Sequence, residues 1–159
     1  SLYRSLVQPA IDGFCELLQS VLYQFNRLSG EEQTRQMLRR SNDEFPKVVD
    51  YLYDHFEEFK LLFTSGENNA YQEFIHRVVE LDTGCTARYI EASGNDAISS
   101  GRLTLELNHL LSSAFYTGMF EVVIHNMPKE QAMKHIQKMR RFYTAGWQTI
   151  FSDDGGEDC

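Results

Sequence analysis

The sequence predicts an all-α fold, an antiparallel helical bundle of five to six helices. Apolar residues recur at helical spacing almost throughout, and no segment shows the strict alternation typical of a half-buried strand. Only three prolines occur in the 159 residues, so few positions would break a helix. The length suffices to bury one core, and we expect a single domain over residues 1–151.

The first half of the chain is predicted to form three helices. Their ranges are about 2–27, 31–43 and 45–63, followed by a loop over 64–69. In the first helix, Leu6, Phe14 and Val21 lie on one apolar stripe. Pro9 predicts either a kink or a later start of that helix. Pro46 falls in the first turn of the third helix, where proline is tolerated.

The second half is predicted to form three longer helices. Their ranges are about 70–92, 102–125 and 128–151, with a polar, glycine-rich loop over 93–101. We expect this loop to be the most mobile segment. The short connection before Pro128 makes the last two helices antiparallel neighbours. The tail, 152–159, is acidic and contains glycine, and we expect it to be disordered.

Composition excludes several classes of partner. The net charge of −8 opposes direct binding to nucleic acid or to an anionic membrane. No apolar run reaches the ~18 residues of a membrane span. The three cysteines are scattered, which favours a reduced, cytoplasmic setting over a disulfide framework. Because the chain opens directly on a helical pattern, we expect it to be part of a longer protein.

The last two helices carry more apolar surface than one layer of helices can cover. Between 110 and 124, apolar side chains point in nearly every direction, so more than one side needs a neighbour. We therefore expect a homodimer in which these helices from two chains form a twofold-symmetric four-helix bundle. The predicted interface residues are Leu110, Ala114, Gly118, Val122, Ile136, Met139, Tyr143, Gly146, Trp147 and Ile150.

Two of these interface residues are glycines in the middle of a predicted helix. A glycine there costs about 1 kcal/mol relative to alanine, so Gly118 and Gly146 need a packing reason. Small residues let helices approach closely where large aromatic side chains interdigitate. The alternative is that both glycines serve packing within one chain only.

Two long segments resemble a known family. The segment "AFYTGMFEVVIHNMPKEQAMKHIQKMRRFYTAGWQTIF" resembles the last two helices of TetR/AcrR-family transcriptional regulators, and "YLYDHFEEFKLLFTSGENNAYQEFIHRVVELDT" resembles the middle helices of their effector-binding domain. The resemblance implies the effector-binding and dimerisation domain of a regulator, most often a repressor. The helix-turn-helix of that family is absent from this chain, so operator DNA would be contacted only through that missing N-terminal domain. In the family, effector binding moves the connecting helix, here 2–27.

The resemblance also implies a cavity between the middle helices for a small apolar or amphipathic effector. Aromatic residues are plentiful there, with two histidines as polar groups. The candidate ligand-binding residues are Phe14, Tyr51, His55, Phe56, Phe59, Phe63, Phe74, Tyr89, His109, Phe115 and Met119. For each aromatic residue taken alone, ordinary core packing is the alternative.

Two Glu-x-x-His pairs motivate a different hypothesis. Glu73/His76 and Glu106/His109 match the pairs of di-iron carboxylate bundles, so a metal- or cofactor-binding bundle, or a di-iron enzyme, is an alternative. The first pair lies off the apolar stripe of its helix, which argues against ligands facing the core. No zinc spacing, P-loop, nucleophile elbow or dinucleotide fingerprint occurs. We therefore expect no enzymatic activity, metal or cofactor; a helical interaction module without a ligand is a third hypothesis.

Overall fold

The computed structural model describes residues 1–39, 44–67 and 69–152. This part of the chain contains seven helices and no strand, which confirms the all-α class. The helices are α1 Leu2–Asn26, α2 Gly30–Arg39, α3 Pro46–Asp54, α4 Phe56–Ser65, α5 Ala70–Ser93, α6 Leu105–Ile124 and α7 Lys129–Phe151. The end predicted for the second helix and the predicted acidic tail, except Ser152, lie outside the described residues. None of the described helices is both long and apolar enough to cross a membrane.

The helix predicted over 45–63 is wrong, because the structure has two helices there. The backbone leaves the helical conformation at His55, where φ is −119° and ψ is 36°. The His55 ring stacks on Tyr51, with ring centroids 4.2 Å apart. The break lets α3 pack against α1 and α7 while α4 packs against α1 and α6. The apolar spacing is helical on both sides of the break, which is why the pattern shows one helix.

One helix start agrees with the sequence-based expectation of 2–27, and another differs from the expected one. α1 begins at Leu2 and includes Pro9, so a later start is wrong; the Ser1 side chain caps this helix by accepting a hydrogen bond from the Arg4 amide at 3.2 Å. α6 begins only at Leu105, because Thr104 caps it by accepting from the Leu107 amide at 3.1 Å.

The segment between α5 and α6 folds back onto the helices. Ala97 and Leu103 are buried, and the Leu103 amide donates to the Ala97 carbonyl at 2.9 Å. The predicted helical residues at 102 and 103 are therefore part of this turn-rich segment. The loop expected to be the most mobile, 93–101, thus contributes Ala97 to an apolar cluster, and Leu103 just after it is a second buried member.

The main core is built around four phenylalanine rings from four helices. Phe14 of α1 is surrounded by Phe59 of α4, Phe74 of α5 and Phe120 of α6, with centroid distances of 5.7, 5.3 and 5.8 Å. All three contacts are edge-to-face, the arrangement that aromatic quadrupoles favour. This contact set fixes α1 along α5 and α5 along α6, the most extensive helix contacts of the fold.

A smaller apolar cluster lies at the other end of α5. Tyr89, Ile90, Ala97 and Leu103 are its buried members. The end of α7 closes it, because side chains of Asn95 and Arg102 donate to the carbonyls of Phe151 and Ile150 at 2.7 and 2.8 Å. The two clusters leave space between α7 and the pair α1/α5, and this space is the candidate site.

Candidate ligand-binding cleft

A cleft separates α7 from α1, α2 and α5. Its main cavity has a volume of about 240 Å³. A second cavity of about 200 Å³ shares Leu22, Asp82, Arg140, Thr144 and Trp147 with the first and extends to Ser112 and Tyr116 of α6. We call this combined space the central cleft.

Helical spacing places the side chains that line the central cleft. Asp82, Cys85, Thr86 and Tyr89 recur at three- and four-residue intervals and so share one face of α5. Arg140, Thr144, Trp147 and Phe151 do the same on α7. The C-terminal end of α1 contributes Leu22 and Phe25. The cleft therefore lies where the lining faces of α1, α5 and α7 come together and their side chains do not fill the space between them.

Asp82 is the acidic group of the central cleft. Its Oδ2 accepts a hydrogen bond from Ser112 Oγ at 2.8 Å, and its Oδ1 accepts one from Tyr116 OH at 3.1 Å. Both donors are buried and lie four residues apart on α6. Burial raises the pKa of the Asp82 carboxyl above its ordinary value, while the two hydrogen bonds act in the opposite direction. No ion pair to Asp82 is found within the described ranges.

The neighbouring titratable groups are held neutral. Burial raises the pKa of the Cys85 thiol to about 12, with the Asp82 carboxyl adding to the shift. Burial, with Asp82 next in size, raises the pKa of Tyr116 well above its usual value. Because only the thiolate is a good nucleophile, Cys85 acts as an apolar wall of the cleft.

The remaining walls are mostly aromatic. Trp147 stacks on Phe151 with centroids 5.4 Å apart, and Phe151 meets Tyr89 edge-on at 5.2 Å. The Arg140 guanidinium lies over the Phe45 ring at 4.3 Å, an arrangement typical of a cation–π contact. Apolar walls with a few placed polar groups are characteristic of small-molecule sites.

Buried polar contacts fix α1, α2 and α5 relative to one another beside the cleft. Gln33 is buried; its side-chain amide donates to the Leu28 carbonyl at 2.8 Å and accepts from Asn26 Nδ2 at 3.2 Å. Asn26 Nδ2 also donates to the Cys85 carbonyl at 3.3 Å. Because each of these bonds joins different elements, the α1/α2/α5 side of the cleft is held as one unit.

The structure distributes the predicted ligand-binding residues over three places. Tyr89 and Phe115 line the central cleft. His109 is exposed in a separate surface groove beside Glu80 and Glu106. The others form or border the main aromatic core: Phe14, Tyr51, His55, Phe56, Phe59, Phe63, Phe74 and Met119. Of these, Phe14, Phe59, Phe74 and Met119 are fully enclosed by protein.

Several cleft residues escaped the sequence-based prediction. The sequence does not mark Asp82, Phe25 and Arg140 as ligand-binding residues, and it places Trp147 in the predicted dimer interface. A signal for Asp82 did exist, because it shares the α5 face that carries Val78, Cys85 and Tyr89. A carboxyl group on an apolar face is unusual and marks either a buried polar contact or a site.

The predicted dimer interface is only partly exposed in the single chain. Leu110, Ala114 and Gly146 are exposed, and Leu110 retains 64% of its accessible surface. Val122 and Ile136 are buried in the main core, so assigning them to an intersubunit surface conflicts with their packing against this chain's own helices. Trp147 and Ile150 pack against the smaller cluster.

Three other predicted interface residues, Gly118, Met139 and Tyr143, have neighbours within the chain. A methyl group added at Gly118 would lie 3.1 Å from the Met139 side chain, and Tyr143 meets Phe115 at 5.2 Å. These contacts join α6 and α7 of one chain. The close approach found at Gly118 is therefore between two helices of the same chain.

The Glu-x-x-His pairs do not converge. Glu73 pairs with Arg4 of α1 at 2.8 Å, and His76 lies 4.0 Å from Glu80 on the outer face of α5. Glu106 and His109 line a different surface groove. In the part of the chain that the structure describes, no group of three or more His, Cys, Asp or Glu side chains is arranged to hold a metal ion.

No family model matches the chain, and no curated protein or solved structure matches it either. The resemblance to TetR/AcrR regulators consequently stays a prediction. Function is inferred below from the geometry and chemistry of the central cleft.

Proposed function

We propose that this chain is a ligand-sensing domain that binds a small amphipathic molecule in the central cleft. The observation that carries the proposal is the cleft itself, in which aromatic walls from three helices surround a carboxyl group without an ion-pair partner in the described chain. Apolar walls favour burial of a hydrophobic body, and the polar groups would orient one end of it.

The chemistry of the cleft favours binding over catalysis. The Asp82 carboxyl is occupied by two hydroxyl donors, and the Cys85 thiol has a pKa of about 12. A nucleophile has to ionise near the working pH, and the Cys85 thiol does not.

A bound ligand would touch the elements that a sensor needs to move. Leu22 and Phe25 belong to α1, which the resemblance to TetR-like regulators assigns to signal transmission, and Trp147 belongs to α7. In the full proposal, a homodimer formed through α6 and α7 transmits ligand binding through α1 to a DNA-binding domain outside this chain. The effector would then change operator binding, most often by releasing it.

The test uses Trp147, the only tryptophan of the chain and a residue of the cleft wall. The purified chain is titrated with N-phenyl-1-naphthylamine, an uncharged amphipathic fluorophore. We expect saturable probe fluorescence, a change in Trp147 emission and a higher unfolding temperature, because a ligand that binds only the folded state stabilises it.

A matched pair of variants locates the binding site. Thr86→Phe fills the central cleft, whereas Thr83→Phe introduces the same ring one turn earlier, in a different surface groove. We expect Thr86→Phe to weaken probe binding by roughly tenfold, about 1.4 kcal/mol, and Thr83→Phe to leave it unchanged. Equal binding by both variants, or no saturable signal from the parent chain, would contradict the proposal.

A further inference from the structure

The acidic group of the central cleft differs from the surface carboxylates of the fold. Asp12 pairs with Arg77 at 2.9 Å and Asp50 with Lys129 at 2.9 Å, both in solvent. Asp82 lies on the wall of a cavity, and its described partners are two hydroxyl groups. An ionised carboxylate offers about four acceptor positions, so two remain for a ligand.

The surroundings of Asp82 suit a cation with an apolar body. Phe25, Tyr89 and Trp147 line the same cavity, and aromatic side chains can attract cations. Arg140 also lines it; its guanidinium lies over the Phe45 ring, and the described residues show no ion pair between Arg140 and Asp82. A positive charge on a ligand can therefore balance the negative charge of the Asp82 carboxylate.

We propose that the ligand class is a lipophilic amine whose ammonium group binds the Asp82 carboxylate and whose apolar body lies between α1 and α7. The inference rests on the proposed function and specifies the ligand of the same site. The only covalent change in binding is a proton transfer, in which the O–H bond of the acid breaks as the N–H bond of the ammonium forms. An amine that enters uncharged takes the proton of the Asp82 carboxyl, and an amine that enters charged meets the carboxylate.

The test compares three compounds with one apolar body and different head groups: 4-phenylbutylamine, 4-phenylbutanol and 4-phenylbutyrate. Each is titrated into the full chain against N-phenyl-1-naphthylamine, with Trp147 emission as a second readout. We expect the amine to bind at least roughly tenfold more tightly than the alcohol, as a charge-assisted hydrogen bond in a protein interior allows. The carboxylate compound should bind most weakly.

Two charge-matched variants separate the site from the overall negative charge. Asp82→Asn removes the cleft carboxylate, and Glu80→Gln removes one from the outer face of the same helix. We expect Asp82→Asn to abolish the preference for the amine over the alcohol. Glu80→Gln should retain the preference.

The outcomes are distinguishable. Equal binding of amine and alcohol by the parent chain overturns the amine proposal without any variant, and the proposed function stands. Tighter binding of 4-phenylbutyrate also overturns it and assigns the head group to Arg140. If neither the three compounds nor the naphthylamine probe binds, the proposed function itself fails.

Discussion

At the scale of single residues, the most informative feature is a buried polar stripe on α6. Asn108, Ser112 and Tyr116 are buried at successive four-residue intervals and face α5. Ser112 and Tyr116 bind Asp82, and Asn108 donates to the Thr83 carbonyl at 3.4 Å. These hydrogen bonds fix the register of α6 on α5, although Asn108 Oδ1 is buried without a hydrogen-bond partner among the described residues.

This stripe was not predictable from apolar periodicity. The pattern of α5 correctly placed Phe74, Val78 and Tyr89 on the buried side. Apolar periodicity does not predict the burial of Asp82, because a carboxyl on the buried face only interrupts the apolar pattern. Only its hydroxyl partners, which come from 30 and 34 positions further along the chain, make its burial possible.

Asp82 should also shape the pH dependence of stability. Its pKa is raised in the folded chain, so the folded state holds this proton more tightly than the unfolded state does. The contribution of Asp82 to stability is then greatest below the ordinary value of 3.8 and is lost as pH rises through the folded pKa. We expect Asp82→Asn to remove this loss, so the free energy of unfolding of the variant gains on that of the parent as pH rises.

Urea unfolding of parent and variant from about pH 4 to about pH 7 measures this difference. Tyr116 and Cys85 add no slope, since both have raised pKa values and stay neutral over that range. The surface carboxylates are common to both chains and cancel in the comparison. A difference that stays constant with pH would contradict the expectation.

At the scale of elements, sequence periodicity located helices better than it located breaks. α5 and α7 were predicted to within one residue at each end. The break at His55 was missed because long-range contacts decide it. Tyr53 OH donates to the Met127 carbonyl at 2.6 Å, which ties α3 to the connection between α6 and α7.

The two mid-helix glycines should respond differently to substitution. At Gly118 a side chain would press on Met139 of α7, so Gly118→Leu should destabilise the chain by about 1–3 kcal/mol through overpacking. At Gly146 nothing lies within 4 Å, so Gly146→Leu should leave folding intact and remove a helix-propensity cost of about 1 kcal/mol. Urea unfolding of both variants measures this; an equal loss of stability in the two would show that Gly146 also packs closely.

At the scale of the whole molecule, the last two helices keep large apolar side chains exposed, as α1 also does at Leu2, Leu6 and Tyr23. Leu105, Leu110 and Phe142 are exposed by 84%, 64% and 77%. The apolar side chains of α6 and α7 therefore fall into two groups. One group fills the core through Val122 and Ile136, and the other remains on the surface that we propose for dimerisation.

Charge placed on this surface should separate the subunits. We expect the parent chain to sediment as a dimer at micromolar concentration and the double variant Leu110→Glu/Phe142→Glu to sediment as a monomer, because charged side chains cannot be buried without partners. Leu2→Glu is the control, since Leu2 is also largely exposed but lies at the start of α1. A monomeric parent chain would contradict the dimer and favour a surface for some other partner.

The all-α fold class was predictable from the sequence, whereas the position of the central cleft was not. Helical spacing identifies which face of α5 or α7 is apolar. A cleft, however, is space that neighbouring helices fail to fill, and this depends on how far α7 stands from α1 and α5. That separation follows from contacts at the two ends of α7, through Ile136 in the main core and Phe151 in the smaller cluster.

The position of the cleft on α7 has a thermodynamic consequence. Arg140 and Thr144 face the cleft, while Phe142 and Gly146 of the same two turns face outward. The proposed ligand and the proposed second subunit would thus lie on opposite sides of one helix, about 10 Å across. Coupling between two such sites is reciprocal. If ligand binding strengthens subunit association by some factor, then association strengthens ligand binding by the same factor. The sensitivity of the sensor would then depend on its own concentration.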